Sequence, residues 1–312
     1  MALLNPPQIL PSVARALFRA LQSSDRFTMG KDELARLIVP PALNRAEDTL
    51  SGPGSKGFDD TLNACVMIGL FSRDANDVGL HPALPDYARD RRVADRRLRP
   101  LIRDLMLRDE INEGLWDSSE GGRDLTRAVA WYLSQSPLAP PMRWNEPLGV
   151  DTAQERQFES SERIFSNDTR WGAFTRWATF LGFGRFLPTD AKEVLVPDPT
   201  DALRDVLPTM LSPQRQEVLP VVEALGRRLP VLDGGRYRRE VEARMRPGAV
   251  HSASDLLSPS LSHALLRLRD EGLILLENLA DAPFKLRFAE GFGQERTVTH
   301  VSMASNQGRR RR

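Results

Sequence analysis

The chain of 312 residues is poor in the residues that most metal, redox and nucleophilic sites need. Its one cysteine, Cys65, excludes an intramolecular disulfide framework and fits a reducing compartment. Four histidines (81, 251, 263 and 300) lie far apart, and with one cysteine they give no zinc-ligand spacing. HExxH, GxSxG and GxxxxGK[ST] do not occur, so nothing points to a metalloprotease, a nucleophile elbow or a nucleotide motor. Gly182-Phe183-Gly184 is too short for a dinucleotide fingerprint and follows a helical pattern, not a strand. No apolar run approaches the roughly 18 residues that span a bilayer. The opening Met1-Ala2-Leu3-Leu4-Asn5-Pro6-Pro7 lacks the basic and apolar parts of a signal peptide. A cytoplasmic protein with no cofactor, no metal and no membrane is expected.

Lysine is scarce as well. It occurs only at 31, 56, 192 and 285, so 39 of the 43 basic residues are arginine. Arginine makes bidentate contacts to phosphate and base edges that lysine cannot. A GC-rich genome explains the same bias without function. The 42 acidic residues leave a net charge of +1, so a bulk basic coat for nucleic acid is absent. Local excess exists: eight arginines face four aspartates between Asp86 and Arg108, and seven face three acidic residues between Arg227 and Arg246. Each stretch reads either as a phosphate contact or as an ion-paired helix face. The run Arg309–Arg312 reads as part of a disordered basic tail.

Hydrophobic residues at 41% and charged residues at 27% are ordinary for globular proteins, and the length suggests about two domains. Apolar residues at helical spacing predict a helix opened by Pro11-Ser12, with Ser12 as its N-cap, through Leu21, and a second over Gly30–Ile38 capped by Thr28. A polar loop over Asn44–Lys56 and a third helix over Phe58–Ile68 follow. Next comes a hairpin across Asp74-Ala75-Asn76-Asp77. Leu98, Leu101, Ile102, Leu105 and Met106 mark a further helix, and the Pro-rich run 137–147 a linker. Asn167 or Asp168 caps a helix with Trp171, Phe174, Trp177, Ala178 and Leu181 on one face. Its aromatics read as core anchors, with base stacking the alternative. Val194–Val196 predicts a strand, and Ala202, Leu203, Val206 and Leu207 a helix. Helices over Gln214–Leu229, kinked or restarted at Pro220, and Arg236–Met245 follow. A helix capped by Ser258 or Ser260 then leads through Gly272 into a hairpin of Leu273–Glu277 with Phe284–Phe288.

Both ends therefore read as three helices, a glycine at the last helix terminus and a hairpin. Glycine at 69 and 272 can take positive φ there without steric cost. The pattern resembles the winged-helix variant of the helix-turn-helix. The fold class expected is mainly α with short β-hairpins, two winged-helix domains flanking a helical middle region. The division is 1–88, 89–150 (connector and linker), 151–211 (middle), 212–292 and 293–312 (tail). In winged-helix DNA readers the third helix enters the major groove. The matching helices offer Lys56 and Asn63 at one end and Ser260, Ser262, His263, Arg267 and Arg269 at the other, and the second hairpin adds Lys285 and Arg287. Asp59, Asp60, Asp270 and Glu271 oppose them.

Three segments resemble the DpdG family: Leu3–Pro7 with Leu10-Pro11-Ser12, Asn167–Phe183, and Pro197-Asp198-Pro199-Thr200-Asp201-Ala202-Leu203. That resemblance implies a non-catalytic component of the bacterial cluster that places 7-deazaguanine derivatives in DNA and restricts unmodified DNA. It offers no catalytic residues. Expected partners are double-stranded DNA, other proteins of that defence system, or a second copy of the chain. The alternatives are a scaffold that recruits a nuclease or helicase without touching DNA, and a transcriptional regulator. An unrecognised nuclease would need carboxylates converging in one cleft.

Overall fold

A computed structural model describes residues 1–39, 53–140, 142–144, 146–189, 193–249, 253–289, 291 and 296–304, with backbone alone at 53–55. The chain begins with α1 (Pro11–Ser23), β1 (Thr28–Gly30), α2 (Lys31–Ile38), α3 (Pro53–Met67), β2 (Phe71–Asp74) and β3 (Asp77–Leu80). Then come α4 (Ala94–Met106), α5 (Asp109–Asn112), α6 (Arg123–Tyr132), α7 (Val150–Gln157), α8 (Asp168–Leu181), β4 (Gly184–Leu187), β5 (Val194–Pro197) and α9 (Thr200–Met210). The rest is β6 (Gln216–Glu217), α10 (Val218–Arg228), α11 (Arg236–Glu242), α12 (Pro259–Asp270), β7 (Ile274–Glu277), β8 (Leu286–Arg287), β9 (Thr297–Val298) and β10 (His300–Met303). The fold is mainly α, with short strands in small sheets. Two compact units form: Met1–Thr126 with Asn167–Leu181, and Arg127–Ser166 with Gly182–Arg312.

In the first unit α1 buries Ala14, Leu17, Phe18 and Leu21, a 3.6-residue stripe. Pro11 opens this helix as expected, because its fixed φ suits the first helical position and its missing N–H costs nothing there, but the N-cap is Leu10 and not Ser12. Thr28 is not a cap either: it pairs with Gly79 in β1, and Gly30 precedes α2. Of the expected loop, residues 44–52 lie outside the described residues, and Pro53–Lys56 already belong to α3. The sheet order is β1-β3-β2, with Phe71 opposite Leu80 and Asp74 opposite Asp77 around a two-residue turn. Gly69 has φ +77, and the N–H groups of Gly69 and Leu70 return to the carbonyls of Val66 and Cys65, which stops α3. Asn167 caps α8 by accepting the Arg170 N–H at 2.9 Å. Its Trp171, Phe174 and Trp177 are buried, and Trp177 Nε1 donates to the Ile9 carbonyl at 3.1 Å. These rings are core and do not offer a stacking platform for bases.

In the second unit the sheet order is β6-β10-β7, the counterpart of the first. Pro220 lies in the first turn of α10, where a missing N–H leaves no bond unmade, so it starts the helix instead of kinking it. Ser258 caps α12 by accepting the Leu261 N–H at 3.3 Å; Ser260 does not. Gly272 has φ +69, and the N–H groups of Gly272 and Leu273 return to the carbonyls of Arg269 and Leu268, the same stop as in the first unit. The expected hairpin of Leu273–Glu277 with Phe284–Phe288 does not form. β7 pairs with β10, Ile274 opposite Met303, and Leu286–Arg287 pairs with β9. Residues 297–303 were expected in a disordered tail. Their β-branched Thr297, Val298, Thr299 and Val301 instead supply two strands. Arg309–Arg312 lie outside the described residues. A strand at Gly184–Leu187, pairing with β5, was not expected.

Candidate nucleic-acid interface

Of its twelve residues, α12 buries eight, and this decides what it can offer. Ser260 and Ser262 were expected on its exposed polar face. Both are fully buried: Ser260 donates to the Leu133 carbonyl at 2.5 Å, and Ser262 Oγ accepts the Ala289 N–H at 2.9 Å. Neither reaches a groove. Arg269 is bonded to Asp270 at 2.7 Å. Arg287 and Asp255 form a two-bond pair at 2.6 and 3.1 Å, and Arg287 holds the Asp255 carboxyl below its ordinary pKa. Lys285 is exposed.

Arg267 belongs to a cluster around Asp198, which is 2% exposed at its side chain. Arg267 Nη1 and Arg185 Nε both donate to Asp198 Oδ2, at 2.8 and 3.1 Å. The Thr200 N–H donates to Oδ1 at 2.9 Å, and its hydroxyl donates to the same oxygen. Burial works to raise the Asp198 pKa, but the Thr200 bonds and the charges of His263 and Arg267 outweigh it and hold the carboxyl low. Arg267 also reaches Glu271 at 3.0 Å, and Arg204 bridges Glu271 and Asp201. Three arginines thus meet three carboxylates, and the cluster has no surplus charge for phosphate. His263, half-buried beside it, has its pKa lowered by burial and by Arg267 and Arg185, against the pull of Asp198. Asp198 was singled out only within the run Pro197–Leu203. The signal for its role was there: an aspartate two residues before a threonine at a helix start makes an Asx-type turn.

In the first unit Lys56 and Asn63 are exposed on α3. Two expected repellents beside them are engaged: Asp59 with Lys31 at 2.7 Å and Asp60 with Gln8 at 2.8 Å. The arginine-rich stretch 86–108 has a role neither reading anticipated. Arg91 donates to the carbonyls of Gln22, Ser23 and Ser24 at the end of α1, Arg108 to Ile68 after α3, and buried Arg103 to Leu181 at the end of α8. Each places a cation on the orphan carbonyls and negative dipole of a helix C-terminus. What remains open is a face where Arg15 and Arg19 of α1, 46% and 55% exposed, share Asp95 of α4 at 2.9 and 2.8 Å. Exposed Arg96 follows Asp95 in the chain, and exposed Arg92 precedes it by three residues. Two arginines share one carboxylate here, and exposed Arg92 and Arg96 lie near it in the chain with exposed Asp90 on the Arg92 N–H at 2.9 Å, which leaves this surface a positive excess.

Cys65 is buried, and burial pushes its thiol pKa far up, so it is a small apolar side chain and not a nucleophile. Among the described residues no group of three or more His, Cys, Asp or Glu is placed to hold a metal. Nor is any helix among them long and apolar enough to cross a membrane.

The three segments that carry the family resemblance are fixed points of the structure. Leu3 and Leu4 donate their N–H groups to Asp124 at 3.1 and 2.7 Å, α8 holds Ile9 through Trp177, and Asp198 organises the cluster above. Comparison with curated proteins and with solved structures finds no match. A family model described as DpdG-like, however, matches residues 1–282, and the chain belongs to the DpdG-like family.

Proposed function

We propose that this protein is a non-catalytic DNA-binding or adaptor subunit of a bacterial DNA modification and restriction system, built on two winged-helix-type modules. One observation supports the modules. The order helix, strand, helix, helix, strand, strand occurs in both units, with α11 and the separate β8–β9 ladder intervening in the second. The central strand of each sheet is the last of the three, and each third helix ends at a positive-φ glycine. The family points to involvement in a DNA modification system. Phosphate contact falls to the arginine face of α1 and α4, because the cations of α12 already have carboxylate partners.

A gel-shift titration of duplex DNA at low and moderate salt tests this. Arg15→Ala with Arg19→Ala is expected to weaken binding and to reduce the salt slope by roughly two. Arg267→Ala with Arg269→Ala is expected to do less. Unchanged binding in the α1 double variant rejects that face. The second reading, a scaffold for a partner enzyme, draws on the charge balance of the Asp198 cluster. It predicts no shift by the wild-type chain at either salt.

A further inference from the structure

Independently of that reading, the second unit contains a cavity of about 440 Å³ bordered by α10, residues 233–242, residues 253–258 and β8. Its volume lies within the usual range of small-molecule sites, about 300–1,000 Å³. Leu219, Val222, Leu256, Leu257 and Leu286 give it apolar walls. Two charged side chains on the wall are incompletely bonded. Arg238, 3% exposed, donates from Nε to Glu242 Oε1 at 2.5 Å, while its buried Nη1 has no hydrogen-bond partner among the described residues. Asp233 accepts the Ser258 N–H through Oδ2 at 2.6 Å, while its buried Oδ1 has no partner among the described residues. Buried polar atoms are nearly always paired, so an orphan donor and an orphan acceptor on two residues that line one apolar cavity mark it for a ligand that draws those side chains into contact.

The charges narrow the ligand. Arg238 is already neutralised by Glu242, so its free N–H groups suit an uncharged carbonyl oxygen better than a second carboxylate. Asp233 requires a donor. We propose that this cavity binds a small molecule with an amide-type edge, its C=O on Arg238 and its N–H on Asp233, and with an apolar or planar body between the leucines. Two kinds of compound share that edge: heterocyclic lactams of the nucleobase type and amides of short apolar peptides.

Thermal shift and calorimetric titration of the full chain separate them, with uridine and inosine in one arm and N-acetyl-leucinamide and leucyl-leucinamide in the other. At least one arm is expected to raise Tm and to bind. Arg238→Met and Asp233→Asn should each weaken that binding at least tenfold. Leu256→Trp, which fills the cavity, should abolish it and serves if an Arg238 variant does not fold. Binding by neither arm overturns the assignment. So does binding that survives all the variants that fold.

Discussion

Gly69 and Gly272 hold nearly the same backbone conformation in different surroundings. A Cβ at Gly69 would sit 2.9 Å from Arg108 Nη2, the guanidinium that caps α3; at Gly272 it would meet nothing within 4 Å. Left-handed geometry alone costs an L-residue about 1–2 kcal/mol. Gly272→Ala should lose that much in a urea melt, and Gly69→Ala should lose more, because the Arg108 cap must also shift. Equal losses would mean that Arg108 yields freely. Asp124 works at the same scale. It accepts the Leu3, Leu4 and Leu125 N–H groups, so Asp124→Ala strands buried donors and is expected to cost about 2–4 kcal/mol in the same measurement. A loss under about 1 kcal/mol would show that the N-terminal segment is not anchored there.

At the level of elements, β10 is the strand on which the second sheet depends. β6 and β7 each pair with it and not with each other. A chain ending at residue 295 should therefore lose that sheet, shown by a lower and broader thermal transition and faster proteolysis; an unchanged transition would contradict the pairing. The sequence made the helices legible because their stripes are local: Leu98, Leu101, Ile102, Leu105 and Met106 needed no partner to be read. The β2–β3 hairpin was legible for the same reason, its strands being two residues apart. β7–β10 was not, since the partner lies beyond the intervening β8–β9 ladder and Phe284–Phe288 offered a nearer apolar run. The site suffered from tertiary effects. Serines 260 and 262 look exposed on a helical wheel, but Leu133 and Ala289 satisfy them in the core. Arginines counted as surface charge in 86–108 turned out to close helix ends.

For the molecule as a whole, a net charge of +1 conceals how its arginines are spent. Many hold carbonyls or carboxylates, so their effect appears in stability more than in a long-range field. That makes stability depend on pH with a definite sign. His263 has a lowered pKa in the folded protein, so the unfolded chain takes up its proton first as pH falls below about 6.5. Stability should decline from there until the folded histidine is also protonated. Asp198 is held low by Thr200, His263 and Arg267 against the effect of its burial. Glu271 is held low by Arg204 and Arg267, again against burial, and Asp95 by its bonds to Arg19 and Arg15. Their contributions are complete above the unfolded carboxylate values near 4 and are lost as pH drops through the folded ones. Urea midpoints between pH 8 and pH 3 should thus show a gentle slope beginning near 6.5 and a steeper one below about 4. His263→Gln should flatten the upper slope and leave the lower one intact. If the upper slope survives that substitution, His263 is not the group whose charging is resisted by burial and by Arg267 and Arg185.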